Sequence, residues 1–144
     1  MCLFIDEEET AKHSLRKSNK KLTFYKTFIV NKNNIETPFY SFIIPFNYSG
    51  YIVPETNLPD IIIQKKTHAY YKNEKLIEGG VIHANTQNRS SMCHVIPNGK
   101  EIPIEVLSDD VVAFGKFNDV CVFKYKIPKS SWLKIKKIKA KLYD

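Results

Sequence analysis

The sequence predicts a mostly β domain bordering on α+β: one strongly bent antiparallel sheet, or a partly open barrel, with one or two short helices. Period-two alternation of apolar residues recurs between residues 21 and 127. Turn-forming Asn, Gly and Pro punctuate it at short intervals, and helical periodicity is confined to the two ends.

EEETAKHSLRK, residues 7–17, fits one short helix with a thin apolar face, followed by an exposed basic run. KLTFYKTFIV, 21–30, places Leu22, Phe24, Phe28 and Val30 on one face of a strand, interrupted only by Lys26. After the turn residues NKNN, PFYSFIIPF is apolar on both faces and reads as a buried strand bounded by Pro38 and Pro45. NYSGYIVPETNLPD reads as loop around a brief strand, and DIIIQKK as another short strand. THAYYKNEKLIEGG fits either a helix capped by Thr67 and stopped by Gly79 and Gly80, or a hairpin turning at KNEK. GVIHAN is a strand, and MCHVIPNGKEIPIEVL is the clearest hairpin signal, turning at Asn98-Gly99. DVVAFG and DVCVFKYKIP follow as strands, the second with Cys121, Phe123, Tyr125 and Ile127 on one face and Lys124 and Lys126 on the other. The last segment, PKSSWLKIKKIKAKLYD, fits a helix capped by Ser130 or Ser131, with Trp132, Ile135 and Leu142 near one stripe opposite the lysines.

The 144 residues fit a single domain spanning 1–144, with a basic N-terminal segment and a basic C-terminal helix. No apolar run approaches the roughly 18–20 residues of a membrane-spanning helix. The opening MCLFIDEEET lacks the basic region of a secretory signal. Cys2, Cys93 and Cys121 are odd in number and widely spaced, which reads as free thiols in a reducing, intracellular setting.

The net charge is +7, and two segments hold half of the 22 basic residues. Lys12, Arg16, Lys17, Lys20 and Lys21 crowd one; the other is the C-terminal helix, where Lys134, Lys137 and Lys141 share a face. Such clusters attract polyanions, nucleic acid or an acidic protein surface, without specifying which. Arg16 and Arg89 are the only arginines, and this shortage counts against base-specific bidentate recognition. Aromatic residues interleave with lysine in LTFYKTF and VFKYK, so Tyr25, Phe123 and Tyr125 are candidate stacking platforms, although core packing accounts for the same residues.

Catalytic chemistry has thinner support. His68, His83, Cys93 and His94 are metal-ligating types, but their spacing matches no structural zinc pattern, and neither a metal nor another cofactor is expected. A cysteine nucleophile needs an imidazole nearby, and Cys93 with His83 on neighbouring strands would supply one. Cys2, exposed by removal of the initiator methionine, would carry its own α-amine as base. Phosphate-binding Gly-rich loops, G-x-S-x-G and H-E-x-x-H are all lacking.

The opening MCLFID, the FYK strand, TPFYSF, the central GVIHAN and VIPNGKEI resemble a group of short proteins of bacteria, their phages and large DNA viruses. Members open with Met-Cys-Leu, carry a Gly-x-Ile/Phe-His-Ala/Thr element and then an Ile-Pro-x-Gly turn. Asn85 stands where the group has an aromatic residue. The resemblance implies an intracellular setting and no particular activity. The expectation is therefore a non-enzymatic basic binding domain contacting nucleic acid or an acidic protein and no membrane. A cysteine-dependent hydrolase or transferase using Cys2 or Cys93 with His83 is the alternative.

Overall fold

The computed structural model describes residues 5–16, 19–38, 41–54, 70–72, 75–78, 82–87 and 96–144, with the backbone alone for 70–72 and 75–78. In chain order the elements are α1 (Glu7–Leu15), β1 (Lys21–Val30), β2 (Asn34–Glu36), β3 (Ile43–Pro45), β4 (Tyr51–Pro54), β5 (Tyr70–Lys72) and β6 (Lys75–Glu78). There follow β7 (Ile82–Asn85), β8 (Gly99–Leu107), β9 (Val111–Phe114), β10 (Asp119–Val122), β11 (Tyr125–Lys126) and α2 (Lys129–Tyr143).

Among the described residues these strands form one curled sheet in the order β5-β6-β4-β11-β8-β1-β7-β10-β9, with β2 added to β1 and β3 to β2. The pairs are antiparallel except β4 with β6. The long ladder between β1 and β8, from Lys21↔Leu107 to Ile29↔Gly99, is the spine of the half-barrel. Its concave face carries Phe24, Phe28 and Val30 opposite Ile102, Ile104 and Val106, all buried. THAYYKNEKLIEGG contains a hairpin rather than a helix, with Lys72 opposite Lys75. Among the described residues of PFYSFIIPF, 43–45 are strand, and Ile43 is exposed while Phe42 and Ile44 are buried, so the described part has one apolar face and not two.

The turn before β8 follows the sequence pattern. Gly99 N–H donates to the Ile96 carbonyl at 3.0 Å, and Asn98 has φ 60. A Cβ at Gly99 would lie 3.1 Å from both the Ile96 oxygen and Thr27 Cγ2, a tight contact that glycine avoids where the turn approaches β1. β8 pairs with β1, far upstream, and with β11; residues 91–95 of the expected hairpin lie outside the described residues.

Helix α2 covers the core, while α1, which buries no side chain, lies against the edge strand β9. Asp6 caps α1 by accepting from Glu9 N–H at 3.0 Å. His13 and Thr10 then tie α1 to the sheet, through Ser108 O at 2.8 Å and Phe114 N–H at 2.9 Å. At the other end α2 presents Trp132 and Ile135 to the core. Each such burial stabilises by roughly 1.5–3 kcal/mol. Pro128, not a serine, is the N-cap of α2; Ser131 is buried and its Oγ donates to Pro103 O at 2.5 Å, pinning the helix to β8. Leu142 is exposed, while Tyr143 beside it still reaches the sheet, its hydroxyl donating to Val30 O at 3.1 Å.

Candidate nucleic-acid interface

The basic residues singled out by the sequence fall into two unequal groups. On α1, Lys12 pairs with Glu8 at 3.4 Å, and three glutamates occupy the first turn, so the helix as a whole is not a cationic surface. Arg16 closes that helix and is exposed; Lys20 is exposed; Lys21 pairs with Glu105 at 3.9 Å. Lys17 lies outside the described residues. On α2, Lys134, Lys137 and Lys141 are exposed on one flank, and Lys134 Nζ donates to Glu101 O at 3.1 Å.

A second lysine row, part of the basic C-terminal cluster in the sequence but not assigned there to a face of its own, runs along the opposite flank of α2: Lys129, Lys136 and Lys139. It borders a groove of about 250 Å³ whose apolar lining is Phe46, Trp132 and Leu133, with Asn47 at one end. The groove exists because Asn47, at φ 64, turns the chain after β3 and Tyr48 N–H returns to Pro45 O at 3.3 Å. That turn sets Phe46 edge-on to Trp132, centroids 6.2 Å apart and planes at 84°. Trp132 Nε1 donates to Tyr48 O at 3.0 Å, which fixes the indole. Lys139 Nζ lies 5.0 Å from the Phe46 centroid, and Leu133 remains 55% exposed. Cations, an aromatic ring and exposed apolar surface thus meet in one concavity with no acidic residue in its lining.

A smaller patch of similar composition lies on the other face of the sheet, where Lys126 and Tyr51 pair in register next to the buried pair Tyr125 and Ile52. Tyr51 has Lys124 Nζ at 4.6 Å and Lys126 Nζ at 4.8 Å from its ring centroid. Tyr125, expected as a platform, is fully buried, and Phe123 is half-buried. The reason is a break between β10 and β11 at Phe123-Lys124. Val120, Val122, Tyr125 and Ile127 all enter the main core, while Cys121 faces the other way, against Ala113 and Ile5. The one-face reading of Cys121 through Ile127 is corrected accordingly. Tyr25, half-buried, has no lysine over its ring among the described residues.

The catalytic candidates are placed as follows. Cys2 and Cys93 lie outside the described residues, as do His68, Arg89 and His94. His83 on β7 stands in register with Cys121 on β10, a pairing the sequence spacing does not reveal. Lys26, expected as an interruption, is buried, and its Nζ donates to His83 O at 2.8 Å. It fills a gap in pairing: the second edge of β1 meets β7 at Tyr25 and β2 only from Ile29. Burial, reinforced by the Lys26 charge, lowers the His83 pKa to about 4, and its Nε2 has no hydrogen-bond partner among the described residues. Burial pushes the Cys121 thiol up to about 12, against a smaller opposing pull from Lys26. At neutral pH the pair is therefore a protonated thiol beside a neutral imidazole, without the thiolate that nucleophilic attack needs. Among the described residues no group of three or more His, Cys, Asp or Glu side chains is arranged to hold a metal ion.

No helix among the described residues is long and apolar enough to cross a membrane. The chain matches no protein-family model, and no curated protein or solved structure is similar enough to lend it a function.

Proposed function

We propose that this chain is a non-enzymatic binding domain that contacts a polyanionic partner, nucleic acid in the first place, through the lysine-bearing surface of α2. The observation that carries the reading is the groove, where Lys129, Lys136 and Lys139 surround Phe46, Trp132 and Leu133. A solvated lysine face would need no concavity and no exposed apolar lining. Lys134, Lys137 and Lys141 on the other flank add to the field that draws the partner in, and electrostatic binding of this kind is sequence-independent.

The test is an anisotropy titration with labelled nucleic acid at two salt concentrations. Affinity in the micromolar range or weaker at physiological salt is expected, with a log–log salt slope of about −2 to −5. Replacing Lys129, Lys136 and Lys139 together by Glu should abolish binding. The same change at Lys134, Lys137 and Lys141 alters net charge equally but should leave measurable affinity. Equal loss from both triple variants would mean that net charge, and not the groove, governs binding. Absence of binding by the unaltered protein at low salt would refute the reading outright.

A further inference from the structure

We infer that the groove is built for single-stranded nucleic acid, with one base seated against Phe46 and Leu133. This rests on the binding reading above and goes beyond it by naming the form of the ligand. Duplex backbone needs only a row of cations, because its bases are stacked inside. An unpaired base offers a π-face and seeks an apolar or aromatic surface with cations close by for the phosphates. The groove has that composition: Phe46 and the exposed side of Leu133 for the base, with Lys129, Lys136 and Lys139 around them.

Tyr51, with Lys124 and Lys126 over its ring, carries similar chemistry on the opposite face of the sheet and is separate from the groove. Acidic groups border it: Glu105 is opposite Lys126 in register, and the Asp110 carboxylate interacts with Lys124. Lys139 rests over the half-buried Phe46 ring and can turn to a phosphate when a base takes its place. The scarcity of arginine and the lack of a fixed donor–acceptor array in the groove make the stacking tolerant of base identity.

The chain has one tryptophan, Trp132, so its fluorescence reports on the groove alone. Titration at low salt with an oligothymidylate of about ten nucleotides, a duplex of equal length, heparin and poly-glutamate separates the outcomes. The oligothymidylate should quench Trp132 and bind about tenfold tighter than the duplex. Phe46→Leu, which keeps an apolar side chain against Trp132 but removes the ring, should weaken the oligothymidylate about tenfold and leave heparin unchanged. Tyr51→Ala, on the opposite face of the sheet, should leave oligothymidylate binding unchanged. Equal binding of oligothymidylate, duplex and heparin without quenching would overturn the single-strand inference while leaving the polyanion reading intact. Poly-glutamate binding as tightly with the same quenching would overturn it in favour of an acidic protein. Failure of every probe to bind would remove both readings.

Discussion

At the scale of single residues, the buried polar groups behind β1 explain more than the exposed charges. His83 and Thr27 each carry a buried polar atom with no hydrogen-bond partner among the described residues, and the Lys26 ammonium occupies the gap where β1 passes from β7 to β2. The folded pKa of His83 is depressed to about 4, mainly by burial, below the ordinary value of 6.5. Its contribution is thus fully present above pH 6.5, where both folded and unfolded states hold it neutral. As pH falls below 6.5 the unfolded chain takes the proton while the folded chain resists until about 4, and stability is lost across that window. The loss amounts to roughly 3 kcal/mol. An NMR titration should show one imidazole changing near pH 4; a His83 resonance moving near 6.5 would remove burial as the cause. Cys121 makes the complementary prediction. With Cys2 and Cys93 changed to Ser, the remaining thiol should resist a disulfide reagent in the native protein and react once unfolded, because burial holds it protonated. Rapid native labelling would mean that β9 and β10 part readily.

At the scale of elements, α2 is decided by a side chain whose role the sequence misassigns. Ser130 and Ser131 both look like caps, but the cap is Pro128 and Ser131 Oγ instead reaches Pro103 O on β8. Ser131→Ala should therefore cost about 1–2 kcal/mol in urea unfolding, the loss of a buried hydrogen bond that leaves a carbonyl unanswered. Ser130→Ala, at an exposed position, should stay within about 0.5 kcal/mol. Equal effects would return the helix to a serine cap. The case marks where sequence reasoning ends. Periodicity located β1 and α2, whose core-facing residues recur locally at period two or near 3.6, whereas β7 and β10 are buried on both faces and α1 buries no side chain. It missed the inversion at Phe123-Lys124, because a two-residue break changes which side chains point inward without changing residue type. Lys26 looked like an interruption because its donor role depends on a pairing gap between distant strands. The groove was illegible for the same reason: Phe46 and Trp132 meet only through the fold, and neither segment alone carries the pattern. The surface lysines were legible as a cluster, but their division into a row on each flank of α2 required the orientation of the helix against β8.

At the scale of the molecule, the sequence carries a net charge of +7. Two ion pairs among the described residues, Lys12–Glu8 and Lys21–Glu105, each have at least one strongly exposed partner and contribute little. A chain in this condition repels itself, so salt alone should stabilise it. Raising ionic strength from 0.01 M to 0.15 M shortens the screening length from about 30 Å to about 8 Å. A rise in Tm of a few degrees is expected in the absence of any ligand, since screening relieves repulsion that only the compact state suffers. Ligand acts in the opposite sense with salt. Oligothymidylate at about 100 times its Kd should add roughly 2.7 kcal/mol at low salt. For a domain of this length that is a shift of roughly 5–10 °C. At high salt the affinity falls, so the added shift should vanish. Plotted against salt, the melting temperature without ligand should climb while the curve with ligand descends to meet it. Thermal melts at three or four salt concentrations give both curves. A rising curve unaffected by ligand would leave the lysines as a source of repulsion alone, and the partner would then have to be sought on the convex face of the sheet.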